Sequence, residues 1–270
     1  VARFVKESID GIFIALQFFT VIPLRKEYSL DKPRLKKAIQ WYPLIGMLLG
    51  LIVVSIVFGL RTVPQLSDPV ISLLVLTVSV GMTGGLHLDG WMDASDAFFS
   101  YRDKQKRLEI MDDPRTGSFA VLSVLFLLGW RYIFILETLK MAAFFTFILI
   151  VFLFYFSRLA MCYVFLFGKL AKPEGIAAFF KKGLERKDFR FHLVSLALLL
   201  LITIFIDATV FYYASVLFIA TILFSVWSKV FIEKQFGGIS GDTLGAAIEG
   251  GETYLWFVLW LLHLFATGLQ

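Results

Sequence analysis

The chain has 270 residues, of which 59% are hydrophobic and only 17% charged, and its mean hydropathy is +0.80. Soluble domains carry roughly 25% charged residues; here uncharged apolar runs approach the roughly 20 residues that a bilayer span needs, so a soluble fold is excluded. The net charge of +5 comes without basic residues interleaved among exposed aromatics, which argues against a nucleic-acid partner and for membrane lipids.

The expected fold is all-α: a polytopic transmembrane helical bundle of about seven spans, forming one integral membrane domain over residues 1–270. Residues 11–24 form an apolar stretch too short to span, suited to an interfacial or re-entrant segment; its flanks lack a small-residue cleavage site, so no signal peptide is expected. The spans follow as Tyr42–Leu60, Val70–Leu86, Phe119–Leu136, Met141–Phe167, Leu193–Ile206, Ala208–Ser228 and Tyr254–Leu269. Asp207 separates the fifth from the sixth, which reads as a tight helical hairpin. Gly46 and Gly50, and likewise Gly81 and Gly85, have the small-xxx-small spacing of close helix packing. The single cysteine, Cys162, lies in an apolar run and has no partner for a disulfide.

Loop charge orients the chain. With the N-terminus inside, segments 1–41, 89–118, 168–192 and 229–252 are internal and hold 22 of the 26 Lys and Arg, against Arg61 and Lys140 outside. That asymmetry follows the positive-inside rule. The outer loops are short, so function is expected on the cytoplasmic face, in segments 84–118, 168–192 and 229–252.

Three constellations lie there. In Gly84-Gly-Leu-His-Leu-Asp-Gly-Trp-Met-Asp-Ala-Ser-Asp96, the spacing of Asp89, Asp93 and Asp96 puts three carboxylates on one helix face. Two carboxylates about 6 Å apart repel by roughly 2–3 kcal/mol at an effective dielectric near 20. No basic residue occurs between Arg61 and Arg102 to offset this. A divalent cation would, and oxygen-only ligands favour Mg²⁺, with Mn²⁺ open as well. His87 stands beside the array as a candidate general base or a neighbour of the metal. In the second constellation, Glu109 to Gly117, Asp113 could complete a metal site and the planar fork of Arg115 matches phosphate oxygens. In the third, Gly237 to Glu249, four glycines suit phosphate cradling by backbone N–H groups, with Asp242 and Glu249 on one helix face; helix capping by Ser240 or Asp242 is the plainer alternative. Arg158 lies about 15 Å inside a span, where a charge must be paired or face a wet cavity. It is expected to face the site and to pair with a motif carboxylate or a substrate phosphate. His192 and His263 have no acidic company and read as structural. Carboxylates, a divalent metal, glycines and arginine together indicate phosphoryl or nucleotidyl transfer at the membrane surface.

These residues also carry a resemblance. Phe18-Phe-Thr-Val-Ile-Pro23, Trp41-Tyr-Pro-Leu-Ile-Gly46, Gly84 to Gly90 with Asp93 and Asp96, Glu109-Ile-Met, Asp113 with Arg115 and Gly117, Ser157-Arg158, Glu174-Gly175 and Gly241-Asp-Thr-Leu-Gly-Ala-Ala-Ile-Glu249 resemble the cobalamin synthase family, the adenosylcobinamide-GDP ribazoletransferases, along nearly the whole length. Asp112, Pro114 and the pair Phe119-Ala120 depart from the family's usual residues. The resemblance implies a Mg²⁺-dependent transferase of the cell (inner) membrane. It would join adenosylcobinamide-GDP with α-ribazole or its 5′-phosphate, giving adenosylcobalamin or its 5′-phosphate and GMP. The expected catalytic residues are His87, Asp89, Asp93 and Asp96. The expected metal ligands are Asp89, Asp93, Asp96, Asp113 and Asp242. Arg115, Arg158, Glu174, Gly241 and Thr243 are expected to bind substrate or its phosphates. Two other readings are a CDP-alcohol-type phosphotransferase and a cation-coupled transporter. The first would carry Asp-Gly-x-x-Ala-Arg, whereas Asp89-Gly90 is followed by Trp-Met-Asp; the second predicts acids near the bilayer midplane and paired broken helices. A homo-oligomer stays open at this stage.

Overall fold

A computed structural model describes residues 2–267, and among these the regular structure is helical; one isolated parallel bridge, Leu170 with Ile239, is the exception. Helix α1 covers Ala2–Phe19, α2 Lys32–Arg61, α3 Asp68–Gly81, α4 Leu86–Phe99, α5 Lys104–Met111 and α6 Ser118–Lys140. Then come α7 Phe144–Phe167, the short α8 Ile176–Lys181, a 3₁₀ turn Arg186–Phe189, α9 Arg190–Ile206, α10 Ala208–Phe236 and α11 Gly241–Thr267. Residues 268 and 269 of the last expected span lie outside the described residues.

Among the described residues five helices are long and apolar enough to cross a membrane: α2, α6, α7, α9 with its leading 3₁₀ turn, and α10. A sixth is reached if α3 and α4 are taken together, but they meet at a bend of 86°. The span expected over Val70–Leu86 is thus a 14-residue helix that stops at Gly81. The reason is local: Gly84 and Gly85 adopt φ of 63° and 74°, a left-handed pair that turns the chain sharply. Gly81 and Gly85 face open space, so they do not form the helix-packing face expected of them. Gly46 and Gly50 do. Their missing side chains let α2 lie on the α7 backbone, where a Cβ at Gly50 would come within 2.8 Å of Val151 Cα. The expected turn at Asp207 is present, with its carboxylate accepting a 2.7 Å hydrogen bond from Thr209 N to cap α10.

Helix α7 is the centre of the bundle. Its most apolar stretch is 89% buried, against 17%, 28% and 33% for those of α9, α6 and α10, which leave more of their surface to face lipid. One apolar cluster joins α7 to Val53, Leu217 and Trp256; a second, built on Ile14, Ile39, Phe165, Phe180 and Ile248, underlies the end of the bundle where α4 lies across the other helices. The apolar stretch near the N-terminus belongs to α1, which packs along α2 and leaves Phe4, Val5 and Ile9 exposed.

Candidate active site

The site begins where α4 crosses the head of α11. Both helices carry a glycine at the contact. A Cβ at Gly90 would lie 2.7 Å from the carbonyl oxygen of Asp242, and one at Gly245 would lie 3.1 Å from that of His87. The crossing therefore brings Asp242 against the helix bearing Asp89, Asp93 and Asp96. Of the motif glycines, Gly245 is taken up by this approach, Gly238 by packing on the backbone of residues 169–171, and Gly237 by the left-handed turn that ends α10. Gly241 remains on the cavity wall. Ser240 caps α11 by accepting from Thr243 N at 3.2 Å, while Ser240 N donates to Thr243 Oγ1 at 2.8 Å. Thr243 is buried in this cap.

A cavity of about 220 Å³ opens beside the crossing, lined by His87, Asp89, Gly241 and Asp242 against an apolar wall that includes Phe18, Ile39 and Phe180. A second, of about 180 Å³, shares Gly241 and Asp242 and adds Glu174, Lys172 and Asp112. Lys172 and Asp112 form an ion pair at 2.5 Å that ties the α7–α8 loop to the loop before α6. The motif segments, far apart in sequence, thus meet at one end of the bundle.

Electrostatically the array is unbalanced. Among the described residues, no ion pair is formed by Asp89, Asp93, Asp96 or Asp242. Burial, followed by the charges of Asp89, Asp242 and Asp96, pushes the Asp93 carboxyl up to about 6. Burial also raises Asp242. Asp96 occupies the space that a side chain at Gly117 would fill, which seats the loop before α6 on the end of the array. Among the described residues no three His, Cys, Asp or Glu side chains are placed to hold a metal ion together. The donor set fits Mg²⁺ in kind: oxygen ligands only, in excess of local positive charge, beside space for water and phosphate.

Other expected residues are engaged with partners of their own. Asp113 is engaged by Arg115, which donates to it through Nε at 2.9 Å and through a terminal nitrogen at 2.6 Å; these bonds hold the Asp113 carboxyl down to about 2. The pair is on an exposed loop, with Arg115 87% accessible. His87 is buried, its Nε2 is 3.2 Å from the Tyr42 hydroxyl, and its Nδ1 has no hydrogen-bond partner. Burial, with the charge of Arg158 behind it, lowers its pKa to about 3, so the ring is neutral.

Arg158 is fully buried. It donates to Ser157 Oγ at 2.8 Å and to Glu252 at 2.6 Å. Glu252 also lies 3.5 Å from Arg131, which pairs with Glu249 at 2.7 Å and donates to Thr253 Oγ1 at 2.8 Å. Two arginines and two glutamates thus neutralise one another inside the bundle, behind His87 and Tyr42. Glu252 and Arg131 had no assigned role in the sequence reading. The signal was parity: two arginines inside spans require two buried acids, and Glu249 and Glu252 stand three apart at the head of the last one.

Comparison with known proteins adds a lineage to this geometry. The sequence profile described as cobalamin-5-phosphate synthase matches residues 11–260. An adenosylcobinamide-GDP ribazoletransferase of Geobacillus sp. (strain WCH70) is 40% identical over 258 residues, covering 96% of this chain and 98% of the relative. Proteins of the same description from Geobacillus kaustophilus and Halalkalibacterium halodurans are 39% and 34% identical, over 96% and 97% of this chain and 98% and 99% of the relatives. No solved structure matches.

Proposed function

The chain belongs to the cobalamin-5-phosphate synthase family, and from that premise we propose that it is a membrane-embedded adenosylcobinamide-GDP ribazoletransferase. A ribose hydroxyl of α-ribazole, or of its 5′-phosphate, attacks the phosphorus nearest the cobinamide. The new P–O bond forms as the bond to GMP breaks, GMP leaves, and the hydroxyl proton passes to a carboxylate of the array. The product is adenosylcobalamin or its 5′-phosphate.

The observation that carries this reading is the convergence of Asp89 and Asp242 on one cavity, across a backbone contact between α4 and α11. Asp89, Asp93 and Asp242 are the carboxylates that would hold Mg²⁺, with Asp96 at the end of the row. When bound, the ion offsets charge on the diphosphate and on the leaving GMP. Gly241 and Glu174 border the space left for the substrate, with Lys172 as the nearby cation. Neutral His87 is held by Tyr42 on the cavity wall and orients the attacking group without adding charge. Arg115, exposed on its loop, would exchange Asp113 for a substrate phosphate.

The positive-inside distribution supports a cytoplasmic site in the inner membrane, because the four basic segments all contribute residues at this end of the bundle. Purified protein supplied with adenosylcobinamide-GDP, α-ribazole and Mg²⁺ should release GMP and form adenosylcobalamin, and chelation should stop both. Absence of GMP release from a folded, Mg²⁺-supplied sample would overturn the assignment.

A further inference from the structure

A third recess lies on the opposite side of α4. Helices α6 and α10 splay apart above α11, and α4 closes one end, leaving a groove of about 1020 Å³. Its walls are aromatic and aliphatic, Phe119, Phe126 and Trp130 from α6 facing Phe224, Trp227 and Phe231 from α10, and no charged side chain lines it. A diphosphate substrate has no partner here, whereas hydrocarbon does.

Its dimensions select the occupant. Phe119 to Trp130 of α6 spans eleven helical steps, about 16 Å at helical rise, and the hydrocarbon of one leaflet is about 15 Å deep. The groove therefore runs along one leaflet only, on the side of α4 and α5. At that end the surface becomes basic. Arg107 stacks its guanidinium 5.3 Å from the ring of Phe98, a groove residue, and donates to Gln235 beside Phe236, another groove residue; its Nε has no partner. The aliphatic stem of Lys104 passes over Gly237 at the end of α10. Acidic neighbours are engaged elsewhere: Asp103 caps α5 and Glu109 pairs with Lys106.

We propose that this groove is a site for an anionic phospholipid, acyl chains between α6 and α10 and headgroup phosphate at Lys104 and Arg107. The proposal does not depend on the reaction assigned above, and its test needs no turnover. The whole protein is reconstituted in nanodiscs of mixed phosphatidylcholine and phosphatidylglycerol, released into the gas phase, and its retained lipid is read by native mass spectrometry. Phosphatidylglycerol should be enriched about tenfold over its share of the bilayer. Lys104→Gln with Arg107→Gln should abolish the preference while lipid is still retained. Ser123→Trp, which fills the groove from its open side, should remove the bound lipid. Equal retention of both lipids by the unsubstituted protein would overturn the proposal. So would a dimer that Ser123→Trp dissociates, since the groove would then be the seat of a second copy.

Discussion

Two sets of charges in this molecule were assembled by opposite rules. Inside the bundle, Arg131, Arg158, Glu249 and Glu252 form a closed set with a partner for each charge. At its end, Asp89, Asp93, Asp96 and Asp242 gather with no ion pair among the described residues, although burial and mutual repulsion already raise Asp93. The first set is neutral as folded; the second carries negative charge that no ion pair balances. Charge in a membrane protein is thus informative less by its presence than by its balance.

The comparison breaks most visibly at Glu252. Glu252→Gln leaves Arg158 buried with an uncompensated charge and should lower stability by about 3–5 kcal/mol, read as thermal unfolding in detergent. Pairing it with Arg158→Met removes both charges and should recover much of the loss. A small effect of the single change would mean that water reaches the pair. Asp89→Asn should do the reverse, lowering GMP release about a thousandfold with melting unchanged or slightly raised, because a repulsive charge is gone. If Asp89→Asn instead unfolds the protein, the array is structural.

Smaller effects sharpen the contrast. Gly90→Ala inserts a methyl into the Asp242 backbone and should reduce turnover without touching a functional side chain. Saturating Mg²⁺ should stabilise the protein by about 2.7 kcal/mol at a hundredfold excess over Kd; Asp93→Asn should respond less, and equal responses would remove Asp93 from the ligands. Metal-free protein should also depend on pH. Unfolded Asp93 titrates near 3.8 and folded Asp93 near 6, so the folded state keeps a proton that the unfolded state releases. Stability should therefore fall as pH rises from about 4 through 6. Mg²⁺ should flatten this slope, and a slope unchanged by both Mg²⁺ and Asp93→Asn would assign it to another group. Last, Asp113→Asn, on an exposed loop, should leave melting unchanged.

Much of this was legible from pattern. The helical class, the hairpin at Asp207 and most long helices follow from uncharged apolar runs, and the helical face of Asp89, Asp93 and Asp96 follows from spacing. What escaped depended on contacts across the fold. Gly81 and Gly46 have the same spacing to a second glycine, yet only Gly46 meets a helix, while Gly81 faces open space. Gly245 resembles part of a phosphate loop until α4 is placed on it. Arg131 and Arg158 look like interruptions of spans until Glu249 and Glu252 are seen to answer them.

The contact of Gly90 with Asp242 has a consequence for which substrates fit. Where two halves of a site meet through side chains, rotamer changes let the opening adjust to guests of different size. Here the halves meet backbone on backbone, and backbone has no rotamers to change. The spacing of the two backbones beside Asp89 and Asp242 is therefore a fixed gauge, and only sliding of α4 along α11 can widen it. A substrate with a bulkier group at the reacting phosphorus should be refused outright, not merely handled slowly, while changes remote from that phosphorus should pass unnoticed.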